Sequence, residues 1–166
     1  SIIAQVKFFN YKEFIMNKIL KICSFAIILL SSNFVFGSET HIVKMLNNSD
    51  QGSMVFEPAF IKINKGDSIT FEMTDAGHNA VTVTGPAGSE PFDTKYKPST
   101  TVKFDINGLY LYKCAPHAMM AMAGLIQVSD ANNKDKMIKA IEKFEGTVRM
   151  PHVQTRVSDL LNTIVQ

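Results

Sequence analysis

The feature that most limits what this chain can become is a repeating pattern between residues 41 and 128: short runs rich in Val, Ile, Thr, Phe and Tyr, separated by Gly, Pro, Asn and Asp. The runs fall at residues 42–46, 60–63, 68–73, 80–84, 101–105, 109–113 and 125–128. Ile61-Lys62-Ile63 and Ile69-Thr70-Phe71-Glu72-Met73 alternate apolar with polar. On an extended backbone that alternation puts the apolar side chains on one face. Lys65-Gly66-Asp67, Gly85-Pro86 and Asn107-Gly108 supply the turns. Strands of this kind must cover their apolar face with another sheet, so the pattern predicts an antiparallel β-sandwich or barrel.

Beyond Asp130 the period changes. Met137, Ile138, Ile141 and Phe144 recur at helical spacing, and Val153, Val157, Leu160, Leu161 and Ile164 do so behind Pro151, a residue suited to a first helical turn. The expectation is a β-sandwich over about 40–129 with two amphipathic helices within 131–166, together one domain over 38–166. The N-terminus reads differently. Met16-Asn17-Lys18-Ile19-Leu20-Lys21 places two lysines before an apolar run over 22–36, the layout of a secretory leader over 16–37. Ser24, Ser31, Ser32 and Asn33 interrupt the run, which is shorter than the roughly 20 residues a membrane-spanning helix needs. Val35 and Gly37 suit a cleavage site, so no stable membrane insertion is expected afterwards. Residues 1–15 read as an upstream extension.

Loss of residues 1–37 leaves thirteen basic and fourteen acidic side chains, a net charge of −1. Nothing in that balance favours nucleic acid as a partner, since phosphate binding needs a strong positive excess. Cys23 departs with the leader, which leaves Cys114 without an internal disulfide partner in an exported, oxidising setting.

Cys114 stands in an unusual segment, Tyr112-Lys113-Cys114-Ala115-Pro116-His117-Ala118-Met119-Met120-Ala121-Met122, between two expected strands. It packs a thiol, an imidazole and thioethers into one loop. Soft sulfur with imidazole is a donor set that copper prefers, whereas calcium or magnesium requires clustered oxygen ligands. A structural zinc site normally uses more Cys or His and has little need of methionine, although zinc can occupy the same ligands adventitiously. His78, within Asp75-Ala76-Gly77-His78-Asn79, offers a second imidazole at the entry to a strand. Taken singly, Cys114 reads equally as a small buried hydrophobe and His78 as a turn residue. With His117 three residues and Met122 eight residues past Cys114, the ligand reading prevails. On composition alone Met119 and Met120 compete with Met122. His41 and His152 have no metal-ligand neighbour at suitable spacing and read as ordinary surface residues.

These residues resemble the cupredoxins, the type 1 blue-copper proteins, and more narrowly the pseudoazurin family. The resemblance runs over about 40–166, through residues 41–47, Met54-Val55-Phe56-Glu57-Pro58-Ala59-Phe60-Ile61-Lys62, Gly77-His78-Asn79, the loop over 113–122 and the two trailing helices. It implies a Greek-key cupredoxin-like sandwich. It also implies one copper ion held by His78, Cys114, His117 and Met122, because the family's Cys-x-x-His-x-x-x-x-Met loop selects Met122 over Met119 and Met120. By the same resemblance the backbone N–H of Asn79 donates to the Cys114 sulfur, while Pro116, having no N–H, cannot. His117 then shows its ring edge in an apolar patch with Met54, Pro116 and Met120, where electrons leave. Ala118 stands where the family often has an aromatic residue, and Ala121 where it often has Gly.

The implied function is that of a monomeric periplasmic carrier. It would pass single electrons from a cytochrome c type donor to a copper nitrite reductase type acceptor, with Lys44, Lys62, Lys113 and Lys143 steering an acidic partner. Copper storage or delivery is the alternative, motivated by Met119, Met120 and Met122. An enzyme is not expected, because His41 and His152 are too few to build a further metal cluster.

Overall fold

The structure, a computed structural model, describes Lys18 and residues 37–164. The chain divides into two units, Ser1–Gly37 and Ser38–Gln166. The expected extension over 1–15 and leader over 16–37 lie outside the described residues, apart from Lys18 and Gly37. Among the described residues no helix is long and apolar enough to cross a membrane.

The second unit is mainly β. Its strands are β1 (Thr40–Ser49), β2 (Gly52–Glu57), β3 (Phe60–Ile63), β4 (Ser68–Glu72), β5 (Val81–Thr84), β6 (Ser99–Lys103), β7 (Gly108–Lys113) and β8 (Ala123–Val128). Two helices follow, α1 (Lys134–Glu145) and α2 (Arg156–Ile164). The strands form two four-stranded sheets, in the orders β2-β1-β4-β6 and β3-β8-β7-β5. Most pairings are antiparallel as expected, but β1 runs parallel to β4 and β3 parallel to β8, so the sandwich is mixed. Strand β2 was not among the expected strands. Gly52-Ser53-Met54-Val55-Phe56-Glu57 buries two consecutive residues, Val55 and Phe56, and so lacks the period-2 mark.

Two apolar clusters hold the unit together. Val43, Met45, Phe56, Ile69, Phe71, Tyr110, Tyr112, Ile126 and Val128 fill one, and it also takes in Cys114 and Met122. Leu109, Leu111, Ala123 and Leu125 form the other with Met137, Ile141, Phe144, Val157 and Leu161 of the helices. Alternation along β7 thus sends Tyr110 and Tyr112 to one cluster and Leu109 and Leu111 to the other. Cys114 keeps the parity of the tyrosines, which is why the residue just past β7 points inward. Tyr112 lies across β8 at Gly124, where a Cβ would sit 2.9 Å from the Ala59 carbonyl oxygen and collide with the tyrosine hydroxyl.

The helices differ in detail from the periodic reading. Ile138, expected on the buried stripe of α1, is 37% exposed, while Met137, Ile141 and Phe144 are buried. Pro151 opens a short 3-10 turn, Pro151–Val153, and α2 begins only at Arg156. Asn133 joins α1 to β7, accepting from the Leu109 N–H at 2.7 Å and donating to the Leu109 carbonyl at 3.0 Å.

Candidate metal centre

Three nitrogen and sulfur atoms converge at one end of the sandwich. His78, fully buried, comes from the loop before β5; Cys114, also fully buried, follows β7; His117, half-buried, stands three residues further on. His78 Nδ1 is 3.6 Å from Cys114 Sγ, His117 Nδ1 is 3.5 Å from the same sulfur, and the two Nδ1 atoms are 3.1 Å apart. Among His, Cys, Asp and Glu in the described residues, these three make the one cluster able to hold a metal ion. Cys114 is free, not disulfide-bonded.

The triangle fits a metal. A point equidistant from its corners lies about 2.0 Å from each, close to the length of a metal–nitrogen bond and a little under that of a metal–sulfur bond. Lone pairs aimed at one buried point repel each other unless a cation shares them. Among the described residues no Asp or Glu joins the cluster, so its donor set suits a soft or borderline metal.

The surroundings fix each donor. Asn47 Oδ1 lies 2.9 Å from His78 Nε2 and accepts its proton, which leaves Nδ1 as the lone-pair nitrogen. Asn47 is itself held by its N–H, which donates to Asp75 Oδ2 at 2.6 Å. Burial pushes the His78 imidazole below its ordinary pKa, and the neighbouring His117 charge adds to this while Asp75 opposes it. At Cys114 burial raises the thiol pKa, and backbone N–H groups of Asn79 and His117 donating to the sulfur pull it down. Pro116 is exposed and, having no N–H, has no backbone hydrogen bond to donate. Asn79 also accepts from the Ala115 N–H through Oδ1 at 2.8 Å, so it holds the loop at two points.

Met122 is fully buried, and its carbonyl accepts from the Cys114 N–H at 2.9 Å. His117 O accepts from the N–H groups of Met120 at 3.0 Å and Met122 at 3.3 Å, which ties the loop closed. Met119, by contrast, is 56% exposed. Ala121 takes a left-handed conformation, φ 60°, at the end of the 3-10 turn Ala118–Met120. That explains why the family often has Gly there, since Cβ costs roughly 1–2 kcal/mol in this region.

Sequence reasoning did not find Asn47 or the His117 N–H. Asn47 lies 31 residues from His78, and only the β1 to β5 arrangement brings them together. His41 is not an ordinary surface residue: its Nε2 lies 3.2 Å from Asp67 Oδ2, and its side chain is only 24% exposed. His152 is exposed as expected. Of the patch residues, Pro116 is exposed and Met54, His117 and Met120 are half-buried. Lys62 and Lys143 are exposed, whereas Lys44, also exposed, stands between Glu57 and Glu72 on the flanking strands, which neutralise part of its field.

A model of copper-binding proteins of the plastocyanin/azurin family matches residues 43–129. The pseudoazurin of Methylorubrum extorquens is 43% identical over 102 residues, 60% of this chain and 69% of that protein. The pseudoazurin of Paracoccus pantotrophus is 48% identical over 94 residues, 55% of this chain and 65% of the other. Among solved structures, the crystal structure of pseudoazurin from Methylobacterium extorquens superposes with a TM-score of 0.62 at 37% identity, over 75% of this chain and 98% of that one.

Proposed function

Because this chain belongs to the pseudoazurins, within the plastocyanin/azurin family of copper-binding electron carriers, we propose that it is a monomeric periplasmic shuttle with one copper ion held by His78, Cys114, His117 and Met122. Its donor is a cytochrome c type protein and its acceptor a copper nitrite reductase type enzyme. The observation that carries this reading is the triangle of Nδ1, Nδ1 and Sγ, assembled with edges of 3.1 to 3.6 Å.

Bound copper supplies the one-electron couple, and the chain's own residues keep that couple fast. Rapid transfer requires that the donors move little between oxidation states. The backbone bonds that close the loop at Cys114, His117 and Met122 restrain it from within, and Asn47 and Asn79 restrain it from neighbouring segments. The two N–H groups at Cys114 Sγ would disperse negative charge on the thiolate, and Met122 would add a weakly binding thioether; both would tune the potential. His117 is the half-buried ligand, so its ring edge is the route out, through a surface formed with Met54, Pro116 and Met120. An apolar surface there suits brief docking, because little polar desolvation accompanies contact.

Stopped-flow mixing tests the proposal. Copper-loaded protein added in catalytic amount to a reduced cytochrome c and a copper nitrite reductase should accelerate cytochrome oxidation in proportion to its concentration. A rate unchanged by its addition would remove the shuttle assignment.

A further inference from the structure

A second group of soft donors lies outside the cluster of His78, Cys114 and His117. A cleft of about 370 Å³ opens where three stretches of chain meet: the β1–β2 turn, the 3-10 turn that carries Met120, and the segment leading into α2. Met120, Met150 and His152 all line it. Thirty residues separate Met120 from Met150 in sequence, so no local spacing announces the group, and His152 looks isolated until the chain is folded.

The walls of the cleft are fastened together. Arg156 Nη1 donates to the carbonyls of Ser53 at 3.2 Å and Met54 at 3.1 Å, and the Arg149 N–H donates to the Met119 carbonyl at 2.8 Å. Gly52 gives the guanidinium room, since a Cβ there would come within 3.2 Å of Arg156 Nη2. The donors are therefore carried on segments pinned to each other. Met120 and Met150 are half-buried and His152 is exposed, so solvent reaches all three.

The chemistry of the lining is selective. Among the described residues no carboxylate and no thiol lines the cleft, which denies calcium and magnesium their oxygen ligands and leaves zinc a single imidazole. Two thioethers and one imidazole are neutral, soft donors of the sort that hold copper(I). The Arg156 guanidinium, also in the lining, repels any cation, and a divalent one about twice as strongly as a monovalent one. We propose that Met120, Met150 and His152 form a second metal site, specific for soft monovalent ions, copper(I) or its redox-inert analogue silver(I). Copper(I) bound there lies beside the loop that carries Cys114 and His117, where it serves as an accessory loading position.

The test titrates the oxidised, copper-loaded chain with silver(I) in chloride-free buffer. Native mass spectrometry counts the ions, and the visible spectrum, recorded before and during the titration, reports separately on the first site. The expected result is one silver ion added per copper-loaded chain with the visible band unchanged. Met150→Leu should weaken silver binding at least tenfold, and Met150→Leu with His152→Ala should abolish it. Met119→Leu, which alters an exposed thioether outside the cleft, should leave it intact. Absence of silver uptake, undiminished uptake by the double variant, or loss of the visible band in step with uptake would each overturn the proposal.

Discussion

Replacing Asn47 by alanine probes how the fold prepares the metal centre. In the metal-free chain His78 has a choice of tautomer. When Asn47 is lost, the ring proton can move to Nδ1, where His117 Nδ1 at 3.1 Å accepts it. A metal removes that choice, because Nδ1 must then offer its lone pair and the proton must return to Nε2. In the variant, Nε2–H is buried without the acceptor it had at 2.9 Å. Leaving a buried donor unsatisfied costs about 1–3 kcal/mol, which falls on the metal-bound state and corresponds to roughly 5- to 150-fold in affinity. Losses of about 10–100-fold are typical when a group supporting a metal-bound histidine is removed. Competition between the chain and a chelator of known affinity measures the difference, and Asn47→Asp, which restores an acceptor, should recover most of it. Asn47→Ala binding copper within twofold of the parent would refute the tautomer argument.

Other perturbations have equally definite outcomes. The Tyr112 ring packs against Phe56, Phe71 and Phe92, and its buried hydroxyl, beside Gly124, has no hydrogen-bond partner among the described residues; burial pushes its pKa far above the ordinary phenol value. Tyr112→Phe should therefore stabilise the fold by about 1 kcal/mol, a rise in Tm of about 4 °C by calorimetry; a fall would mean that the hydroxyl is satisfied in solution. Gly124→Ala should destabilise by about 3 kcal/mol or more in urea denaturation, since its Cβ meets Tyr112 and the Ala59 carbonyl. At Asp67 burial works to raise the carboxyl pKa, but the N–H groups of Glu39 and Asn64 together with His41 outweigh it and bring the net value below 3.8. A depressed folded-state pKa gives stability that is present above the unfolded value and lost as pH falls through the folded one. Asp67→Asn should thus lower stability at neutral pH and flatten its decline below about pH 4, and an unchanged acid limb would contradict the assignment.

The strands that bury a single face were legible in the sequence: Ile69-Thr70-Phe71-Glu72-Met73 announces β4 because side chains alternate across a sheet. Strand β2 was not, because Val55 and Phe56 are both buried and erase the alternation. The parallel pairs β1–β4 and β3–β8 join segments distant in sequence, and no local pattern encodes such pairing. At the site, Cys114 and His117 share one loop and announce themselves by residue type and spacing, whereas the choice of Met122 over Met119 and Met120 needed family resemblance. His78 needed family resemblance, and Asn47 needed the fold, since an asparagine in a strand carries no mark of the histidine it will support. Pro151 correctly signalled helical turns, yet the chain makes a 3-10 turn before α2 starts at Arg156. That break puts Met150 and His152 beside the β1–β2 turn.

Whether Cys114, His78 and His117 share one copper ion through a thiolate and two imidazoles is decided by the visible spectrum of the chain loaded with one equivalent of copper(II), beside Cys114→Ser treated identically. Thiolate-to-copper charge transfer predicts an intense band near roughly 600 nm for the parent and none for the serine variant. A parent without the band, or a serine variant that keeps it, would contradict the claim.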